Sequence, residues 1–95
     1  MTTAVPEQFI DAATELFDAL VPVATDDELF ASGYLRGHFD LAVGTLQVEG
    51  TPFAASDVIS QVSGTLQQAI TAGELNEQDQ HHVNAIWLRV QQLAA

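Results

Sequence analysis

The chain contains no cysteine and no lysine, and Arg36 and Arg89 are its only two permanently basic side chains. Without cysteine it has no disulfide, no thiolate metal ligand and no cysteine nucleophile. The 13 acidic residues give it a formal net charge of −11. A chain this acidic repels the phosphate backbone of nucleic acids and anionic membrane surfaces, so we expect neither as a partner.

Long apolar runs are also absent. No stretch approaches the ~20 residues that span a bilayer, and the first residues lack the basic start and apolar run of a signal peptide. We therefore expect a cytoplasmic protein. A length of 95 residues and a hydrophobic fraction of 47% predict one globular domain over residues 1–95.

Four amphipathic segments separated by short turns predict helices over about residues 6–20, 26–47, 54–72 and 77–93. Thr25 and Glu28 have the spacing of a capping box at the start of the second helix. Gly73 is placed to end the third helix, and Asn76 to cap the fourth. No segment has the period-two pattern of a strand. These features predict an all-α fold, an antiparallel up-and-down four-helix bundle with the second helix at its centre.

The second helix has an unusually wide apolar side. On a helical wheel this side covers about 180°, against the ~100° of an ordinary surface helix. We expect eight residues to form it: Phe30, Ala31, Tyr34, Leu35, Phe39, Leu41, Ala42 and Leu46. His38 falls near its middle, which predicts a core histidine bonded to a backbone carbonyl or an acid of another helix. Tyr34 lies one turn earlier and is expected to share a polar pocket with His38.

Three glycines, Gly33, Gly37 and Gly44, line up within about 40° on the opposite side of the same helix. Glycine in a helix interior costs roughly 0.5–1 kcal/mol relative to alanine, so the strip indicates that something approaches it closely. Three interpretations are open: another helix of the bundle crosses there, a second copy of the chain binds there, or the strip forms the floor of a ligand groove.

Arg36 and Asp40 lie beside the glycine strip, four residues apart. This spacing predicts an ion pair within the helix, although arginine before the acid is the weaker order. The alternative is that Arg36 binds an anionic ligand or a carboxylate of a partner.

No motif for phosphate, dinucleotide, zinc-protease or serine-hydrolase chemistry is present. His81 and His82 are adjacent, so on a helix they point about 100° apart and do not share a face as metal ligands would. Trp87 lies on the inner side of the fourth helix, where core packing is expected. The sequence therefore predicts a protein that is not an enzyme and has no metal or cofactor.

The segment DDELFASGYLRGH (residues 26–38) resembles the YfcL family of small gammaproteobacterial proteins. The resemblance extends through Ala72-Gly73-Glu74-Leu75, Asp79-Gln80, Val83 and Trp87, and so covers the chain from about Thr25 to Trp87. It implies a compact helical fold in a bacterial cytosol, and it implies no activity.

These observations lead to the hypothesis of a small acidic interaction module that binds a second copy of itself or another protein. The residues expected to form the contact or to support it are Gly33, Tyr34, Arg36, Gly37, His38, Asp40 and Gly44. One alternative is a binder of small anions that uses Arg36 with Tyr34 or His38. A second alternative is an acidic mimic of nucleic acid that presents the carboxylates of the first helix, Glu7, Asp11, Glu15 and Asp18.

Overall fold

The computed structural model describes residues 6–94. Within that range the chain forms no strand and four α-helices, which are α1 (Pro6–Leu20), α2 (Asp26–Glu49), α3 (Ala55–Thr71) and α4 (Glu77–Gln92). The predicted all-α four-helix bundle is confirmed. The observed ends of each helix fall within two residues of the positions that the sequence pattern indicated.

Local sequence signals account for several of these helix ends. The Thr25 hydroxyl accepts a hydrogen bond from the Glu28 backbone N–H at 3.2 Å, and Glu28 Oε1 accepts from the Thr25 N–H at 2.9 Å, as the capping box predicts. Bonds from the Thr25 backbone and side chain hold the pKa of the Glu28 carboxyl below its usual range. Gly50 follows α2 with a φ of 75°, and Gly73 follows α3 with a φ of 79°. Both glycines occupy the left-handed region, where residues with a Cβ are disfavoured.

Aromatic side chains occupy the centre of the bundle. The Phe39 ring of α2 lies 5.7 Å from the Phe9 ring and 5.9 Å from the Phe17 ring of α1, measured between ring centroids. Trp87 of α4 is 6% exposed, and its Nε1–H donates to the Ser63 hydroxyl of α3 at 3.3 Å. The predicted core position of Trp87 is therefore confirmed, and its indole joins α3 to α4.

The helix α2 contacts each of the other three helices and packs most closely against α4 and α3. Its 24 residues extend for about 36 Å at 1.5 Å per residue, which matches the 37 Å longest dimension of the molecule. The buried residues of α2 are Ala31, Ser32, Leu35, Phe39, Ala42 and Val43. On a helical wheel they occupy an arc of about 120°, so much of the circumference of α2 is left on the outside of the bundle.

Candidate functional site

The exposed side of α2 is more apolar than the sequence pattern predicted. Phe30 and Leu41, expected in the core, are 52% and 67% exposed, and Val48 near the end of the helix is 88% exposed. The prediction of a buried 180° arc is wrong because the other three helices cover only one side of α2. Ser32 and Val43 fill the core in place of Phe30 and Leu41.

The glycine strip is open to solvent. Gly33 and Gly37 are exposed and Gly44 is half-buried. A Cβ added at any of the three would meet no heavy atom within 4 Å, once the glycine's chain neighbours and the nearby helix backbone are set aside. No other helix of residues 6–94 therefore crosses the strip, and the interpretation that it packs inside the bundle is wrong. The interpretations with a second copy or a ligand are not tested by this geometry.

The exposed apolar residues and two of the glycines form one continuous feature, which we call the outer stripe. Its members are the exposed Phe30, Gly37, Leu41 and Val48 and the half-buried Tyr34 and Gly44. Successive members are four, three, four, three and four residues apart, so they keep to one side of the helix over its whole length. The wheel places the centre of the stripe about 160° from the centre of the buried side.

A shallow groove of about 470 Å³ runs along the C-terminal half of the outer stripe. Gly44 forms part of it, and the missing side chain at that position leaves space between Leu41 and Val48. The groove is lined by Asp40, Leu41, Gly44, Thr45, Val48 and Glu49. It is an apolar depression with carboxylates at its margin, and an apolar or aromatic side chain suits it better than an anion does.

Arg36 does not pair with Asp40, and the prediction of that ion pair is wrong. Its Nη1 instead donates to Asp18 Oδ1 of α1 at 3.0 Å, and its guanidinium carbon lies 5.8 Å from the centre of the Phe17 ring. The reason is that α1 flanks this side of α2 and offers both a carboxylate and an aromatic face, whereas Asp40 offers only the weaker arginine-first spacing. Asp40 is exposed beside the glycines.

Tyr34 and His38 do lie together, as predicted, with ring centroids 4.8 Å apart. The Tyr34 hydroxyl donates to Glu74 Oε1 in the turn between α3 and α4 at 2.7 Å. Burial, followed by the hydrogen bond to Glu74 and the charge of that carboxylate, raises the pKa of Tyr34 to about 12. The tyrosine therefore stays a neutral donor across the physiological pH range.

His38 is half-buried at the edge of the core, and its hydrogen-bond partner differs from the prediction. Its Nδ1 lies 2.9 Å from the Thr65 hydroxyl oxygen of α3, and that hydroxyl donates to the Val62 carbonyl at 3.1 Å. The Thr65 hydroxyl has one proton to share between these two partners, so the tautomer of His38 sets which group donates in the pair. The expected backbone carbonyl or acid is replaced by a hydroxyl that no pattern in the sequence identifies.

The predicted site residues thus fall into separate groups. Tyr34 and His38 bond toward α3 and the turn after it, while Arg36 bonds toward α1 on the other flank of α2. The anion site that would combine Arg36 with Tyr34 or His38 is not assembled by this arrangement. What the structure brings together instead is the outer stripe. Phe30 and Leu41 are surface residues that the sequence pattern places in the core, and Val48 lies beyond the predicted end of the helix at residue 47.

Other chemistry finds little support in the described part of the chain. Residues 6–94 contain no group of three or more His, Asp or Glu side chains placed to hold a metal ion. None of the described helices is both long enough and apolar enough to cross a bilayer. The α1 acids Glu7, Asp11, Glu15 and Asp18 are all exposed. Arg36 forms an ion pair with Asp18, so the row of carboxylates that would imitate nucleic acid has one uncompensated negative charge fewer. The acidic mimic stays a prediction.

The fold and the site define a class of small helical bundles in which one long helix presents an open, glycine-containing apolar side. Residues 7–92 match the family described as YfcL protein. The chain is 44% identical over 88 residues to "Uncharacterized protein YfcL" of Escherichia coli (strain K12), a match that covers 93% of this chain and 95% of that protein. No solved structure gives a significant match. The chain belongs to the YfcL family, as the resemblance of residues 26–38 to that family implied.

Proposed function

We propose that this protein is a non-enzymatic interaction module of the bacterial cytosol, and that the outer stripe of α2 is its contact surface. The observation that carries the proposal is that exposed apolar side chains and three glycines whose helical cost is uncompensated share one side of α2. Each of the three glycines on the exposed side of α2 costs roughly 0.5–1 kcal/mol relative to alanine, or about 1.5–3 kcal/mol together. This is a large part of the roughly 5–15 kcal/mol that stabilises a typical domain, and nothing in the described chain packs against these glycines in return.

A second helix bound at the outer stripe would compensate for the cost of these glycines. Residues without side chains let the axis of a second helix approach more closely than the usual 8–10 Å, as small residues do in membrane helix pairs. The exposed side chains of Phe30, Leu41 and Val48 would then lose their contact with water, and burial of apolar surface is the main favourable term in protein association. We infer a helical polypeptide as the partner, because only a rod follows a stripe that runs the length of α2.

The polar side chains of α2 support a non-enzymatic role. Arg36, Tyr34 and His38 each have a hydrogen-bond partner on another segment of the same molecule, namely Asp18, Glu74 and Thr65. General acid–base or nucleophilic catalysis needs a titratable group within reach of a substrate. These three side chains instead join α2 to α1, to α3 and to the turn between α3 and α4.

Site-specific photo-crosslinking in the native cell tests the proposal. A photoreactive phenylalanine analogue replaces either Leu41, 67% exposed on the outer stripe, or Leu88, 58% exposed on α4. We expect Leu41 to yield a discrete adduct with a protein, whether a second copy or another chain, and Leu88 to yield none. Absence of an adduct at Leu41, or equal adducts at both positions, would contradict a contact surface on α2.

A further inference from the structure

We propose that the occupant of the outer stripe is the outer stripe of a second copy, antiparallel to the first, in a register that sets each glycine opposite a larger side chain. This inference rests on the proposed function and adds the identity of the partner and the geometry of the contact. It follows from how the six members of the stripe are ordered along α2.

The order of large and small residues along the stripe is complementary to the same order read in the opposite direction. When two copies are aligned antiparallel with Gly37 opposite Leu41 of the second copy, Gly44 falls opposite Tyr34, and Phe30 falls opposite Val48. Paired positions then alternate between four- and three-residue steps on both helices, which is the layer pattern of an antiparallel coiled coil. Each of the two glycines in the stripe then faces a larger side chain of the other copy, and no two aromatic rings face each other.

The groove at Gly44 agrees with this register. The depression of about 470 Å³ between Leu41 and Val48 is where the exposed part of the Tyr34 ring from the second copy would lie. Tyr34 suits this role because its hydroxyl already donates to Glu74 at 2.7 Å. Its polar atom stays satisfied, and the part of its half-buried ring that does not pack against the core is left to contact Gly44 of the other copy.

Charge favours the antiparallel orientation over the parallel one. Asp26, Asp27 and Glu28 all lie in the first turn of α2, and a parallel pair would hold six carboxylates side by side. The antiparallel pair separates the two clusters by about 36 Å along the helix axis, several times the ~8 Å screening length at physiological ionic strength. Each cluster then has only one α2 carboxylate of the other copy beside it, that of Glu49. A parallel in-register pair would also set glycine against glycine and leave gaps at both layers.

The area of the contact predicts a weak dimer. Phe30, Leu41 and Val48 are more than half exposed, and a contact made by a single helix face falls at the low end of interface sizes, below roughly 1,200 Å² in total. We therefore expect micromolar dissociation. Asp40 of both copies would flank the two-fold axis, and each chain has a net charge of −11. Because salt screens the repulsion between these negative charges, the dimer should tighten as the salt concentration is raised.

The absence of cysteine makes the register directly measurable, since an introduced thiol is the only one in the chain. Phe30→Cys and Val48→Cys change exposed side chains and leave the core untouched. In the proposed register residue 30 of one copy faces residue 48 of the other, whereas residue 48 lies about 27 Å along the axis from its own symmetry mate. A disulfide needs Cα atoms within about 7 Å.

Mild oxidation of an equimolar mixture of the two variants should yield the mixed disulfide, which joins position 30 of one copy to position 48 of the other, well above its statistical share. Leu88→Cys, placed on α4, should yield little dimer. A predominant disulfide between the two copies of position 48 would overturn the antiparallel register.

Asp40→Asn should tighten the dimer at least several-fold in this register, because it removes the like-charged pair that flanks the two-fold axis. A strict monomer at high micromolar concentration would overturn the second copy as partner, yet an adduct of Leu41 with another protein would still support the interaction module.

Discussion

Replacing Gly37 by alanine probes whether the exposed side of α2 is open within a single molecule. The site has helical backbone geometry, and the added Cβ would meet no heavy atom within 4 Å. The substitution therefore adds the intrinsic helix preference of alanine without a clash. We expect the free energy of unfolding to rise by about 1 kcal/mol, which in a domain below 100 residues raises the Tm by roughly 4–8 °C.

Gly64→Ala is the matched control. Gly64 lies within α3, is exposed, and also has open space where its Cβ would be, so its substitution should stabilise the protein to a similar degree. Both variants are compared with the unmodified chain by urea and thermal unfolding, in solution dilute enough to keep the chain monomeric. Because the two sites are on different helices and share no partner, their effects should add in the double variant.

A loss of stability in Gly37→Ala, alongside a gain in Gly64→Ala, would refute the reasoning. That result would mean that the position of Gly37 is already occupied within the monomer, and the cost on which the proposed function depends would then be compensated inside the bundle.

Two further predictions concern the core and the flank of α2. Phe39→Ala removes a ring that is 1% exposed between Phe9 and Phe17, and urea unfolding should show a loss of about 3–5 kcal/mol; a loss below ~1 kcal/mol would contradict the described core. The pKa of Tyr34 is raised to about 12 in the folded protein, so the phenol holds its proton more tightly when the chain is folded. Its contribution to the free energy of unfolding is therefore complete below the unfolded pKa of about 10 and is lost as the pH rises toward 12. Unfolding measured between pH 9 and 12 should show a decline that is smaller in Tyr34→Phe, and identical curves for the two proteins would contradict this.

Much of the fold was predictable because its determinants are local. The capping box at Thr25 and Glu28, the glycine after α3 and the cap at Asn76 depend on neighbours within four residues, and the structure contains the corresponding hydrogen bonds and φ values. The apolar periodicity of α1, α3 and α4 likewise identified the sides that they bury.

The errors concern α2 and have a common physical cause. Periodicity shows which side chains are apolar, but how many of them are buried depends on how many helices are available to cover them. Leu41 therefore looked like a core residue and is a surface residue. Arg36 was paired with Asp40 because pairs within a helix can be found from spacing, whereas Asp18 comes near only after α1 packs beside α2.

The mass of the chain in solution, measured by sedimentation equilibrium from low to high micromolar concentration, tests the central claim most directly. We predict a reversible monomer–dimer equilibrium that strengthens with salt, that Gly44→Leu abolishes by filling the groove on α2, and that Gly64→Leu on α3 leaves unchanged. A monomer at every concentration, or a dimer equally indifferent to leucine at both positions, would contradict the claim that two copies meet through the outer stripe.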